Sequence, residues 1–193
     1  MTDRPSAFQA DVHVLFEGYV GEHTAATVSL IRDGDARILF DPGMVPSQSV
    51  ILEPLDRLGI GAADVTDVIL SHHHPDHTLN AGLFPQARVH DHWAWYRGDL
   101  WVNRDCHGFE VSPSVRLVRT PGHTADCLTA LAGTAEGVVA LTHLWWSAEG
   151  PDEDPYAVDA KALHAGRERI LEVADVILPG HGAMFRPDAR TPR

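Results

Sequence analysis

The chain has 193 residues, 44% hydrophobic and 22% charged, a composition that fits one globular domain with a sizeable core and is too short for two ordinary ones. Its 15 basic and 27 acidic residues give a net charge of −12 at pH 7 with histidine neutral, a field that argues against a general nucleic-acid coat protein. No window offers the roughly 18 to 20 uncharged apolar residues of a membrane span, and the first ten residues carry no apolar signal core, so a cytoplasmic protein without a membrane partner is expected. Cys106 and Cys127 lack C-x-x-C spacing and read as plain thiols.

In chain order, residues 12–20, 27–32 and 37–40 read as an opening β-meander, with a turn at Asp33-Gly34-Asp35. After Asp41-Pro42-Gly43, residues 48–58 place Val50, Ile51, Leu55 and Leu58 at helical spacing and stop at Gly59. Residues 65–70 read as a buried strand that runs straight into Ser71-His72-His73-His74-Pro75-Asp76-His77. The aromatic stretch 91–113 shows no regular period. Strands resume at 115–119, and 128–132 with 138–141 reads as a hairpin. A helix over 159–174 and a strand over 176–178 lead into Pro179-Gly180-His181-Gly182.

One grammar recurs: a strand is followed at once by a histidine, at His72, His123, His143 and His181. Such a pattern delivers all four side chains to one edge of the sheets. His72-x-His74-x-Asp76-His77 adds three imidazoles and a carboxylate within six positions, ligand types suited to zinc or another first-row divalent ion.

That string resembles the H-x-H-x-D-H signature of the metallo-β-lactamase superfamily. Thr120-Pro121-Gly122-His123-Thr124 and Leu178-Pro179-Gly180-His181-Gly182 resemble its third and fifth motifs, in the same order, and Phe40-Asp41-Pro42-Gly43 is similar to its segment before the first helix. The resemblance spans about residues 12–185. It implies a four-layer αββα sandwich (an α/β, or α+β, fold) forming one domain with a core at about 11–186, and metals at one edge between the sheets. It implies further that His72, His74 and His123 hold one metal and that Asp76, His77 and His181 hold a second. The cofactor expected is zinc, one or two ions, with iron or manganese as alternatives. Three imidazoles leave a coordination position open, so metal-bound hydroxide would attack an ester, thioester, lactone or related acyl carbon, with Asp76 helping the proton reach the leaving group.

The chain departs from the resemblance at the fourth motif, where most hydrolytic members have a bridging Gly-Asp and this chain has Leu141-Thr142-His143. Imidazole nitrogens point away from each other and bridge a close metal pair poorly. His143 is therefore expected to complete the second site as a terminal ligand, or else only one metal is tightly held; a decayed site is the bland alternative. One carboxylate fewer makes the cluster more positive, which favours an anionic small-molecule substrate.

Other enzymatic readings are phosphodiester or RNA cleavage, with Arg97, Arg104, Arg116 and Arg119 as a local basic patch, and oxygen chemistry at a lone iron. A non-catalytic metal- or ligand-binding protein is the reading from another class. Asp41 is expected to orient a histidine ligand or to start its turn, and His73 to face outward. Trp145 and Trp146 are assigned to the substrate pocket, one flanking the cleft while the other packs inside. Trp93, Trp95 and Trp101 read as core or homodimer packing, or as another cleft wall. The acidic run Asp152-Glu153-Asp154 reads as a solvated loop, with a gate over the cleft as the alternative.

Overall fold

The structure, a computed structural model, describes residues 3–193; Met1 and Thr2, part of the charged start, lie outside them. One sheet contains β1 (Asp11–Phe16), β2 (Val28–Asp33), β3 (Ala36–Phe40), β4 (Asp67–Ile69), β5 (Arg88–His90), β6 (Ala94–Arg97) and β7 (Leu100–Asn103), in that spatial order. The second contains β8 (Glu110–Ser112), β9 (Val115–Arg119), β10 (Leu128–Thr134), β11 (Gly137–Leu141) and β12 (Val176–Leu178), with β8 and β12 at its edges.

Period-two alternation gives each strand an inner and an outer face. Ile38 and Phe40 of β3 meet Leu128, Ala130 and Leu141 in the layer between the sheets. Leu39 turns the other way, onto Ile51 and Leu55 of helix α1 (Ser49–Arg57). On the opposite outer face, Leu131, Val138 and Ala140 pack against Leu163 and Ile170 of helix α3 (Ala160–Leu171). The result is the expected αββα sandwich. Each of these fully buried leucine or isoleucine side chains is worth about 1.5–3 kcal/mol. Asp159 caps α3 by accepting a hydrogen bond from the Ala162 N–H at 2.9 Å.

Two departures from the expected elements have local causes. The strand expected over 12–20 ends early, at Phe16, which pairs with Val28 after an irregularity between Val14 and Phe16; Tyr19 and Ala25 then form an isolated bridge. The aromatic stretch contains a β6–β7 hairpin and β8. Arg97 pairs with Leu100 across a two-residue loop whose first residue, Gly98, has φ 60°, the conformation that glycine supplies in tight hairpins. Because β7 is a sheet edge with Leu100 and Trp101 exposed, its sequence lacks the alternation of a half-buried strand. Cys106 and Cys127 are buried free thiols. Among the described residues no helix is long and apolar enough to cross a membrane.

Candidate metal centre

Strand direction assembles the site. β3 and β4 are parallel with Phe40 opposite Ile69, so Asp41 and the Ser71-His72 turn leave the sheet side by side. β11 and β12 are parallel with Leu141 opposite Leu178, which sets His143 beside Gly180 and His181. β9 ends at Arg119, just before His123. The Leu128 N–H donates to the Ser71 carbonyl at 2.8 Å and the Thr27 N–H to the Gly180 carbonyl at 2.8 Å, tying the two sheets together at this edge. A short helix, α2 (Pro75–Thr78), carries Asp76 and His77, and the Asp76 carbonyl accepts from the Met44 N–H at 3.1 Å. Gly43 permits that approach, since a Cβ there would collide with the Asp76 backbone.

In the first half of the cluster, the His74 Nδ1 lies 3.0 Å from His72 Nε2 and 3.1 Å from His123 Nε2. In the second half, Asp76 Oδ2 lies 3.3 Å from His77 Nε2 and 3.6 Å from His181 Nε2, and His143 Nε2 lies 3.2 Å from His181 Nε2. Two buried triads, His72–His123–His143 and His77–His143–His181, each bring three nitrogens within 4.8 Å of one another. Gly180 makes room for the His143 ring, into which a Cβ would project.

The backs of four rings are held. His77 Nδ1–H donates to the Asp41 carboxylate at 2.7 Å, His123 Nδ1–H to Asp154 at 2.7 Å, and His181 Nδ1–H to the Ala25 carbonyl at 2.9 Å. His72 Nδ1 shares a 2.9 Å hydrogen bond with the Ser71 hydroxyl. These contacts place the proton on Nδ1 of His123 and His181 and turn a lone pair of Nε2 inward. Asp41 sits at φ 50°, in the left-handed region, with its other oxygen accepting from the Ser71 N–H at 2.7 Å. A strained backbone held from both sides thus fixes His77.

Electrostatics divide the rings. Burial, and then repulsion from neighbouring imidazoles, pushes His72 and His143 well below the usual histidine range, and His181 down to about 4. Burial opposes charge on His77 as well, but the Asp41 and Asp76 carboxylates outweigh it and raise its pKa to about 9. Burial likewise disfavours charge on Asp76, yet the His77 imidazole 3.3 Å away prevails and lowers its pKa to about 2. The site therefore combines neutral lone-pair donors with a position where positive charge is favoured.

A divalent ion fits that pattern. A tetrahedral ion with nitrogen ligands at about 2.0–2.1 Å separates them by about 3.3–3.4 Å, close to the 3.0–3.6 Å spacings of both halves. His77 Nε2 is buried without a hydrogen-bond partner, as expected where a non-protein group satisfies a cluster. Two metal-binding triads support a mono- or dinuclear centre of zinc, iron or manganese. Beside it opens a cavity of about 340 Å³, lined in part by His74, Asp76, His123, His143 and His181. Val20, Met44, Trp146 and Tyr156 contribute apolar or aromatic wall.

The structure brings together His72, His74, Asp76, His77, His123, His143 and His181, with Asp41 directly behind them. His73 points away, exposed, to Asp91 Oδ2 at 3.2 Å. Two expectations are corrected. Trp145 does not line the pocket: it is fully buried behind α3, donating its indole N–H to the Pro192 carbonyl at 2.9 Å. Only Trp146 reaches the cavity, its ring stacked on Tyr156 at 5.7 Å. Asp154 is not solvated either. Its carboxylate is buried behind His123, accepts from Trp146 Nε1 at 3.2 Å, and is held below the usual range by the His123 hydrogen bond despite burial. Nothing in the acidic run marks one carboxylate as different; its partner lies 31 positions away. The basic patch is partly neutralised, with Arg116 on Glu110 at 2.6 Å and Arg119 on Asp105 at 3.3 Å.

Fold and cluster together define an αββα protein with a histidine-rich metal-binding site. Residues 22–184 match the family model of the metallo-beta-lactamase superfamily, and the chain belongs to that family. It is 33% identical over 189 residues to metallo-beta-lactamase domain-containing protein 1 of Xenopus laevis, a match covering 91% of this chain and 81% of the relative. Among solved structures it is similar in fold to TTHA1623 in a di-iron-bound form, with TM-score 0.68, 20% identity, and 91% and 98% of the two chains covered. It is similar also to an N-acyl homoserine lactone hydrolase with N-hexanoyl-L-homoserine bound at its catalytic metal centre, with TM-score 0.64, 20% identity and 94% of each chain covered.

Proposed function

We propose that the chain is a metal-dependent hydrolase of small acyl compounds, namely esters, thioesters or lactones. His72, His74 and His123 would hold one ion, and Asp76, His77, His143 and His181 a second, with zinc the first choice from the donor set. The observation that carries this reading is the convergence of imidazole nitrogens, four of the rings backed by a fixed partner, on an open cleft with apolar walls. The fold shared with a lactone hydrolase supports it.

When bound there, a divalent ion supplies Lewis acidity and makes a water molecule acidic enough to act near neutral pH. The chain's own residues do the rest. Ser71, Asp41, Asp154 and the Ala25 carbonyl hold the rings in one orientation, so no reorganisation is needed on binding. Asp76 is ionised across the neutral range, so its carboxylate can take the proton given up by the attacking water and pass it to the departing oxygen or sulfur. Val20, Met44, Trp146 and Tyr156 seat the apolar part of an acyl substrate and exclude water from it.

The test is turnover of 4-nitrophenyl esters, acyl thioesters and lactones by zinc-loaded, chelator-stripped and reloaded protein. Activity that disappears on stripping, returns on reloading, and survives in His73→Ala but not in His74→Ala is expected. Metal-independent turnover, or turnover only of single-stranded RNA, would overturn it.

A further inference from the structure

The loop that joins β11 to α3 serves the site in two ways through one carboxylate. Asp154 accepts from His123 Nδ1 at 2.7 Å, from Trp146 Nε1 at 3.2 Å and from the Tyr156 N–H at 2.9 Å. Its placement therefore sets both the His123 ring and the aromatic wall of the cleft, where Trp146 and Tyr156 stack. The loop has little regular structure of its own beyond a bridge between Ser147 and Gly150. It rests instead on a side chain from α3.

On the inward stripe of α3, Leu163 and Ile170 pack against the second sheet, and between them, at helical spacing, the sequence sets an arginine. Arg167 is fully buried. Its Nε–H donates to the Leu144 carbonyl at 2.8 Å, Nη1 to the Asp152 carbonyl at 2.5 Å and Nη2 to the Pro151 carbonyl at 3.3 Å, while the guanidinium lies over the Trp145 ring at 5.8 Å. All three acceptors are neutral backbone groups. Burial disfavours the charge on Arg167, and the nearby carboxylates of Asp154 and Asp152 oppose that loss. A buried cation is an expensive way to fill an apolar stripe. What an apolar side chain cannot do is fix carbonyls eight positions apart, Leu144 and Asp152, with one rigid fork.

The same helix starts against the His123 turn. The Asp159 N–H donates to the Gly122 carbonyl at 3.0 Å and the Val158 N–H to the His123 carbonyl at 3.3 Å, and Gly122 lies so close to Leu163 that a Cβ there would collide with it. One helix is thus the common base of the ring and of the loop behind the ring.

We propose that Arg167 is a positioning residue: by gripping the loop after β11 at Leu144, Pro151 and Asp152, it holds Asp154 against His123 and, resting on the hydrolase reading, holds Trp146 and Tyr156 as the wall that seats the substrate. It acts through Asp154 and touches neither ion nor substrate.

Zinc affinity of the full-length protein, by chelator competition, tests the link without turnover. Arg167→Met, similar in length and without donors, should lose about tenfold in affinity, the low end for outer partners of a metal ligand. In an Asp154→Ala background the same change should cost almost nothing more, because the route through Asp154 is already cut; independent effects would multiply instead. At saturating zinc, Arg167→Met should raise KM for a 4-nitrophenyl ester more than it lowers kcat, the pattern shared with Trp146→Ala. A folded Arg167→Met protein with wild-type zinc affinity overturns the proposal, as does a loss that persists undiminished in the Asp154→Ala background or a fall in kcat with KM unchanged. Should Arg167→Met fail to fold, Arg167→Lys carries the same cycle, since it keeps the charge but one ammonium cannot span the Leu144 and Asp152 carbonyls; wild-type zinc affinity in that variant is equally fatal. A wild-type protein without acyl turnover would refute the hydrolase reading and leave the zinc cycle to decide the role of Arg167.

Discussion

Removing the Asp154 carboxylate should weaken metal binding from behind the ligand shell. One oxygen accepts from His123 Nδ1 at 2.7 Å and from Trp146 Nε1 at 3.2 Å, and the other from the Tyr156 N–H at 2.9 Å. In Asp154→Ala the His123 ring loses both its orientation and the polarisation of its inward lone pair. Loss of such an outer partner costs about 10- to 100-fold in metal affinity, or about 1.4–2.7 kcal/mol. The buried Nδ1–H left without an acceptor costs about 1–3 kcal/mol of folding stability, whereas the Tyr156 N–H borders an exposed residue that water can reach. Asp154→Asn keeps an acceptor oxygen and should lose less on both counts.

The sign of the pH effect follows from the lowered Asp154 pKa. Its contribution is complete above the ordinary carboxylate value of about 4 and disappears as pH falls through the lower folded value. Zinc affinity by chelator competition, with thermal unfolding of the stripped protein at pH 7 and pH 3, measures both effects. An Asp154→Ala protein that bound zinc within about threefold of wild type would refute the argument, since the smallest outer-partner effect is about tenfold.

Three further outcomes are expected. Trp145→Ala should cost about 3–5 kcal/mol of stability in denaturant titration with little change in KM, while Trp146→Ala should raise KM with only a small stability change; the reverse pattern would return Trp145 to the pocket. Gly180→Ala drives a Cβ into the His143 ring, so zinc content by mass spectrometry should fall towards one ion per chain in a folded protein, and two retained ions would disprove that packing. Asp67 is lowered because hydrogen bonds from His90 at 2.7 Å and Arg88 at 2.8 Å outweigh its burial; its stabilisation is present above the carboxylate range and lost in acid. Asp67→Asn should therefore flatten the acid limb of the stability profile, and an unchanged limb would assign that limb to other carboxylates.

What the sequence made legible followed from local rules. The run around His72–His77, the strand-then-histidine grammar and the helical spacing of Ile51 and Leu55 are short-range signals, and each element they mark is present. What stayed hidden depends on pairs distant along the chain. Asp154 became a ligand's partner because the loop after β11 folds back over His123, and no composition within its acidic run reports that. Trp145 and Trp146 are adjacent, and only the turn at the end of β11 decides which faces the core. The β6–β7 hairpin was obscured because an exposed edge strand needs no apolar alternation. Residues 88–90 were missed because a three-residue strand with polar ends gives no period to read.

Convergence of this kind has a consequence for the fold itself. The cluster draws its side chains from the ends of strands in both sheets, so inward lone pairs and partnerless nitrogens on His77 and His143 act against closing the sandwich edge. The layer between the sheets and the two helix-covered outer faces must hold that edge together before any cation arrives. An ion that binds only the assembled cluster then stabilises both sheets at once, by an amount set by its free concentration relative to its dissociation constant. Rigid strands and a strained Asp41 are thus the physical condition for metal affinity: a looser edge would relieve the repulsion by spreading the rings and would lose the spacing that a small divalent ion requires.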